Sequence, residues 1–213
     1  VIPSDGTACS LILDENDRPH IAYHAFIGSE ESGIAHRTDT AWQFERLNWR
    51  LGRPSGLSLT IIDGGFFQVS TTVWVPDNAG YPRLRYMAQD ENGWHLFDNI
   101  ADSGVQLGQT TLALDGDGRP FIGFPTHSGI ALTTFDGANW TTAPVDTSND
   151  AGSLSSLTID STGTQIVAYA HQGSSMCVAS RNGGSWTSEA CFPSSSSERR
   201  AGFSLGLDAD NQP

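Results

Sequence analysis

The sequence predicts an all-β fold built from tandem four-stranded antiparallel units, on three observations. The first is a stretch, Ser10 to Tyr23 (SLILDENDRPHIAY), that returns as Thr111 to Phe124 and Ser156 to Tyr169, in divergent form from Leu59 to Asp63, and in part at Ser204 to Pro213. Its turn aspartates, Asp14, Asp63, Asp115, Asp160 and Asp208, stand 49, 52, 45 and 48 residues apart. The second is a tryptophan at one place in each period: Trp42, Trp94, Trp140 and Trp186. The third is that short runs of strand formers, punctuated by Gly, Pro, Ser and Asp, meet no competing helical periodicity. Four short strands in a tandem period of about 40 to 50 residues are the signature of a β-propeller.

Taken in order, Val1 to Ala8 reads as the tail of an outer strand and its loop. Repeat one (about 9–56) supplies strands at Ser10–Asp14, Pro19–Ile27, Gly33–Thr38 and Trp42–Asn48. Repeat two (57–108), the irregular one, supplies Ser58–Asp63, Phe67–Val75, Pro82–Gln89 and Trp94–Asn99, with a longer loop at Pro76–Tyr81. Repeat three (109–153) supplies Thr111–Asp115, Pro120–Thr126, Ile130–Phe135 and Trp140–Asp146. Repeat four (154–202) supplies Ser156–Asp160, Gln165–His171, Met176–Arg181 and Trp186–Phe192, and a partial repeat (203–213) supplies one further innermost strand. Along strand two, Ile21, Tyr23, Ile122, Phe124, Val167 and Tyr169 alternate with Ala22, Gly123 and Ala168. That pattern suits a strand covered on both faces by neighbouring blades. Four complete repeats plus one strand predict part of a larger propeller, of about six to eight blades. Completion of the open sheet by another chain is the other reading.

With 213 residues and 38% apolar content the chain can bury a sizeable core. All 11 basic residues are arginine against 24 acids, a formal charge of −13. Such a surface repels phosphate backbones and anionic lipid, which argues against nucleic-acid partners, and no segment is apolar enough for membrane insertion. Cys177 and Cys191 flank the turn Asn182-Gly183-Gly184; if they are equidistant from it, they face one another across a hairpin at a disulfide's span. The pair is read as a bridge made in an oxidising compartment, or as two buried free thiols. Cys9 has no partner in this reading: it is buried at a strand start or paired outside the chain.

The element D-x-x-G-x-P-x-I-x-[YF], followed by D-G-x-x-W, resembles the propeller repeats of secreted bacterial proteins, akin to sialidase-like and lectin-like propellers. Thr134 to Trp140 and Ser180 to Trp186 look like degenerate Asp-box turns. The resemblance covers nearly the whole chain and implies the fold; in that family the box is a folding element, without catalytic meaning.

Candidate sites stand beside plainer readings. The turn aspartates invite calcium, but two or three carboxylates per turn fall short of the six to eight oxygens it takes, so they are read as turn-fixing residues and no cofactor is expected. His20 and His24 share a strand face about 13 Å apart, too far to share a metal. His24 and His36 are equidistant from Glu30 and are expected to oppose one another, with Tyr23 and Arg37 nearby. His127 and His171 end strand two in their own repeats, on the rim expected to hold His24, and Arg83 and Arg85 approach it. The expected ligand-binding set is therefore His24, His36, His127, His171, Arg83 and Arg85, with no metal site. The repeated tryptophans are read as packing between blades, and Asn139-Trp140-Thr141 as a chance match to a glycosylation acceptor. The chain is thus expected to be an extracellular or cell-surface binding or assembly module, without enzymatic activity, recognising acidic carbohydrate or a protein surface, with self-association through open strand edges. The alternative is a carbohydrate-active enzyme, a sialidase-like hydrolase or polysaccharide lyase, using Tyr23, His24, His36 and Arg37.

Overall fold

The computed structural model describes residues 6–27, 29–47, 53–62, 64–75, 81–101, 104–148, 151–171, 175–193 and 204–208. These form four antiparallel sheets, each of four strands. Blade one is β1 (Gly6–Leu13), β2 (Pro19–Ile27), β3 (Ser29–Arg37) and β4 (Trp42–Arg46). Blade two is β5 (Arg53–Ile61), β6 (Phe67–Trp74), β7 (Pro82–Asp90) and β8 (Gly93–Asp98). Blade three is β9 (Thr111–Leu114), β10 (Pro120–Thr126), β11 (Gly129–Phe135) and β12 (Trp140–Asp146). Blade four is β13 (Ala151–Ile159), β14 (Gln165–His171), β15 (Ser175–Arg181) and β16 (Thr187–Pro193). Blades one and two fall in one compact unit, Val1–Ile100, and blades three and four in another, Ala101–Pro213. No helix among the described residues is long and apolar enough to cross a membrane.

The aspartate of the repeated stretch closes the first hairpin of a blade. Asp14 Oδ1 accepts the N–H groups of Asn16 and Arg18, both at 2.9 Å. Asp115 Oδ1 accepts those of Asp117 and Arg119 at 3.0 and 2.9 Å, and Asp160 Oδ1 those of Thr162 and Thr164, both at 2.8 Å. This is the turn-fixing role expected of them. Three residues on, the chain turns left-handed at Gly118 (φ 75°) and Gly163 (φ 84°), and at Asp17 (φ 57°), where repeat one lacks the glycine. Asp63 lies outside the described residues.

Blades pack face to face within each unit. In the first, Ala22, Ile34 and Leu47 of blade one meet Leu57, Leu59, Phe67, Val69 and Met87 of blade two, with Ile12, Ile61 and Trp94 at the margin. In the second, Phe121, Ile130 and Leu132 of blade three meet Leu157, Val167, Tyr169, Cys177 and Ala179 of blade four. Each fully buried large apolar side chain stabilises by about 1.5 to 3 kcal/mol, so these seams hold the units together. A hydroxyl joins the innermost strands: Ser10 Oγ accepts Leu59 N–H at 3.0 Å, Thr111 Oγ1 accepts Leu157 N–H at 2.9 Å, and Ser156 Oγ accepts Leu205 N–H at 3.0 Å. In repeats one, three and four the Ser or Thr before the first leucine thus satisfies the next repeat's backbone. Residues 204–208 of the partial repeat, expected as a further innermost strand, are not strand in the structure, although Leu205 meets blade four as Leu59 meets β1.

Several expectations are corrected. Strand one starts earlier than expected in three blades, at Gly6, Arg53 and Ala151, because a bulge in each lets pairing continue past the regular run. The β2–β3 hairpin reverses between Ile27 and Ser29, so His24 pairs with Ser32, and His36 with His20. The turn is not centred on Glu30: the polar Ser29–Ser32 run is strand, and pairing it satisfies backbone groups that a long loop would leave open. Cys9 is an exposed free thiol in β1 rather than a buried one. Cys177 and Cys191 are directly paired and disulfide-bonded, S–S 2.04 Å. Trp94 and Trp186 do pack at blade seams. Trp140 instead lies against Phe135 of the adjacent strand, ring centroids 5.1 Å apart, and Trp42 is exposed.

Candidate functional site

One cross-strand row recurs in every blade and sets what the rim can present. It runs Tyr23, Gly33, Arg46 in blade one; Phe124, Ala131, Pro144 in blade three; and Tyr169, Cys177, Cys191 in blade four. A bulky ring on the second strand faces a small residue on the third. At Gly33 the fit is tight: a Cβ there would lie 2.5 Å from the carbonyl oxygen of Glu45 and 2.8 Å from the Tyr23 hydroxyl. Blade two inverts the sizes, with Thr71, Arg85 and Asp98 in the row. Arg85 fills the volume that an aromatic ring fills elsewhere and is 2% exposed.

A buried guanidinium requires a paired anion. Asp98 provides it: Arg85 Nε donates to Oδ1 at 2.8 Å and Nη2 to Oδ2 at 3.1 Å, while Arg83 Nη1 donates to Oδ2 at 3.3 Å. Partial burial raises the Asp98 pKa, but the hydrogen bonds and charge of Arg85, with Arg83, outweigh it and hold the carboxyl below its ordinary value. Above this cluster β6 ends at Trp74, paired with Pro82, and Tyr81 precedes β7. Trp74 is 40% and Tyr81 71% exposed, so two aromatic faces flank the β6–β7 reversal.

In the second unit, the ends of β12 and β14 bring Asp146, Tyr169 and His171 together. His171 Nε2 lies 3.9 Å from Asp146 Oδ2, and Ser148 N–H donates to Asp146 Oδ1 at 2.7 Å. Burial raises the Asp146 carboxyl, yet hydrogen bonds from Ser148 and Tyr169 and the nearby His171 bring it below its usual range. Burial, then the bond to Asp146, pushes the Tyr169 phenol up. His127 lies in the exposed β10–β11 turn, its Nδ1 3.1 Å from Gln106 Nε2.

Blade one places its histidines differently. His24 is buried, its Nδ1 2.8 Å from Ser32 Oγ. His36 sits four residues along β3 from Ser32, about 13 Å at strand spacing, at the end carrying the Asp14 turn. There His20 Nε2 meets Asp14 Oδ2 at 3.2 Å, His36 Nε2 meets Gln43 Oε1 at 3.0 Å, and both rings pack on Phe67. Tyr23 is buried and Arg37 half-buried. No group of three or more His, Cys, Asp or Glu suited to a metal occurs among the described residues.

The structure thus unites Arg83 and Arg85 around Asp98, and His171 with Asp146, but separates His24 from His36. Sequence reasoning passed over Asp98, Asp146, Trp74 and Tyr81. For Asp98 a signal existed: the one repeat carrying arginine in the small-residue position of strand three also carries a carboxylate opposite it on strand four.

No family model matches the chain, and no curated protein matches it. Among solved structures, the fungal lectin from Aleuria aurantia, described as a six-bladed β-propeller with a novel fucose recognition mode, is similar at a TM-score of 0.61 and 15% identity. That match covers 87% of this chain and 61% of the lectin. A protein of unknown function from Dyadobacter fermentans matches with a TM-score of 0.60 at 12% identity, over 86% of this chain and 69% of its own. A GH43_1 enzyme from Xanthomonas citri matches with a TM-score of 0.56 at 9% identity, over 88% and 74%. The chain therefore spans under two thirds of the lectin's length, and what these likenesses establish together with the four-stranded blades is the fold, a β-propeller.

Proposed function

We propose that the chain is a non-enzymatic carbohydrate-binding propeller module of an extracellular protein, and that it takes a saccharide bearing a carboxylate. The observation that carries this reading is the pair of exposed aromatics, Trp74 and Tyr81, flanking the β6–β7 reversal next to Arg83. Two large rings open to water at one hairpin end offer surfaces on which the C–H face of a sugar stacks. Arg83 and Arg85 gather around Asp98 beneath them, bringing two guanidiniums close to the exposed rings in a chain that is otherwise strongly acidic. Arg85 is buried and serves as support; Arg83 is the contact. His24 and His36 support the fold of blade one. The lectin neighbour described as recognising fucose lends the fold a precedent for sugar binding, and the Cys177–Cys191 bridge suits an oxidising compartment. Asp136 serves its own turn, its Oδ1 accepting the N–H groups of Ala138 and Asn139, both at 2.8 Å.

The test is a glycan array carrying uronate, sialyl and neutral fucosyl saccharides, followed by calorimetric titration of the retained glycan into Trp74→Ala, Tyr81→Ala and Arg83→Gln variants. Retention of carboxylated glycans, weakened at least tenfold by each aromatic substitution, is expected. Retention of neutral sugars alone would overturn the carboxylate assignment, and unchanged affinity in both aromatic variants would overturn the site.

A further inference from the structure

The seams of the two units treat the same tryptophan differently. Trp94 and Trp186 stand at the start of the outermost strand of the second blade in their units, and both pack against the seam. In the first unit the Trp94 indole N–H donates to Glu45 Oε1 of the preceding blade at 2.6 Å. Glu45 lies on β4, paired with Ile34. At the same place in the second unit, on β12 and paired with Leu132, stands Ala143, whose side chain offers no acceptor. Trp186 Nε1 is accordingly buried with no hydrogen-bond partner among the described residues. A buried donor in that state is costly, and the first unit shows the group that relieves it, a carboxylate.

The second unit also brings a cation to this place. Arg181 holds on β15 the position that Gln89 holds on β7, since Leu157, Val167 and Ala179 pair across the sheet as Leu59, Val69 and Met87 do. Its guanidinium lies over the Trp186 ring, 5.0 Å from the centroid, and its Nε donates to Gln165 Oε1 at 2.8 Å. Arg18, Arg83, Arg85 and Arg119 each pair with a carboxylate. Arg181 pairs with none among the described residues; partial burial pushes its pKa down, and no neighbouring acid offsets that. We propose that this seam is a further binding site, taking the carboxylate of a small acidic ligand between Trp186 and Arg181. One oxygen accepts the Trp186 indole N–H, as Glu45 does for Trp94, and the Arg181 Nη groups meet both. Because the indole N–H is buried, the carboxylate enters as the Arg181 side chain, held by one hydrogen bond and by stacking, turns from the ring toward it. Both walls of the site, β12 and blade four, belong to one unit, and the proposal does not rest on the Trp74–Tyr81 reading.

The experiment is a titration of the whole isotope-labelled chain at fixed ionic strength, followed by its indole N–H resonances, with Trp94→Phe and Trp186→Phe to assign them. Acetate probes the carboxylate alone, glucuronate a carboxylate borne on a sugar, and acetamide the same shape without charge. The Trp186 resonance is expected to move saturably with acetate, glucuronate or both and not with acetamide, while the Trp94 resonance stays in place. Movement with glucuronate alone assigns the site to acidic sugars, and movement with acetate alone assigns it to smaller acids. Arg181→Gln is expected to weaken binding at least about tenfold. Ala143→Glu supplies the chain's own carboxylate, so it is expected to move the Trp186 resonance unaided and to abolish the response. Both variants are checked for native circular dichroism, and Ala143→Glu, at a half-buried position on an outermost strand, decides alone if Arg181→Gln does not fold. The Trp74→Ala, Tyr81→Ala variant is expected to respond as the parent does, which separates this site from the β6–β7 reversal. A Trp186 resonance unmoved by either acid, one moved equally by acetamide, or a response that survives Ala143→Glu or a folded Arg181→Gln would each overturn the proposal.

Discussion

Replacing Asp98 by alanine isolates the inverted row of blade two. The substitution leaves the Arg85 guanidinium buried among Thr71 and its neighbours without its bidentate carboxylate. Removing one partner of a fully buried pair costs about 3 to 5 kcal/mol. Asp98 is itself one-third exposed, so water screens part of the interaction, and the expected loss is nearer to about 2 kcal/mol. With a urea m-value of about 2 kcal/mol per molar, that moves the unfolding midpoint down by about 1 M at unchanged slope. The comparison is the Arg85→Met, Asp98→Leu double variant, which replaces the pair by apolar groups of similar reach and is expected within about 1 kcal/mol of the parent. The pair also carries a pH signature. The folded pKa of Asp98 lies below its unfolded value, so its contribution is complete above about pH 4 and is lost as pH falls through the folded value. Acid unfolding should therefore be shallower in the double variant. A midpoint change below about 0.2 M for Asp98→Ala, or a double variant as unstable as the single one, would refute the reasoning.

Other outcomes follow from individual contacts. Reducing Cys177–Cys191, which spans 14 residues, is expected to lower stability by about 3 kcal/mol, read as a midpoint shift with and without reductant. Ser10→Ala leaves Leu59 N–H without its acceptor in the first seam and is expected to cost about 1 kcal/mol by the same assay. Gly33→Ala drives a methyl against the Glu45 carbonyl and the Tyr23 ring, so loss of at least about 2 kcal/mol or failure to fold is expected. Asp17→Gly restores the repeat's own residue at a left-handed position and should raise the melting temperature.

Fold was legible in this sequence because its determinants are local and repeated. The repeated stretch shows a hydroxyl for the neighbouring strand and an aspartate for the turn, and the structure uses both in that way, while its first leucine lies in a seam at Leu59 and Leu157. The disulfide was legible for the same reason, since two cysteines equidistant from a Gly-rich turn fall in register. The histidine rim was not. Its geometry depended on where a polar, turn-like segment reverses, and Ser29–Ser32 pairs as strand because the backbone ladder continues through it. Arginines were read as rim contacts from their charge, whereas burial of Arg85 follows from a size exchange with Thr71 across the sheet, visible only once the register is known. Exposure of Trp74 and Tyr81 likewise depends on how far β6 and β7 extend.

Affinity capture of an acidic glycan on the immobilised chain, with chromatography of whatever is released, tests the central claim most directly. The account predicts that the glycan is retained by the parent chain, recovered intact, and lost with the Trp74→Ala, Tyr81→Ala double variant. Shortened or unsaturated products would show an enzyme, and retention independent of those two aromatics would show that the β6–β7 hairpin is not the site.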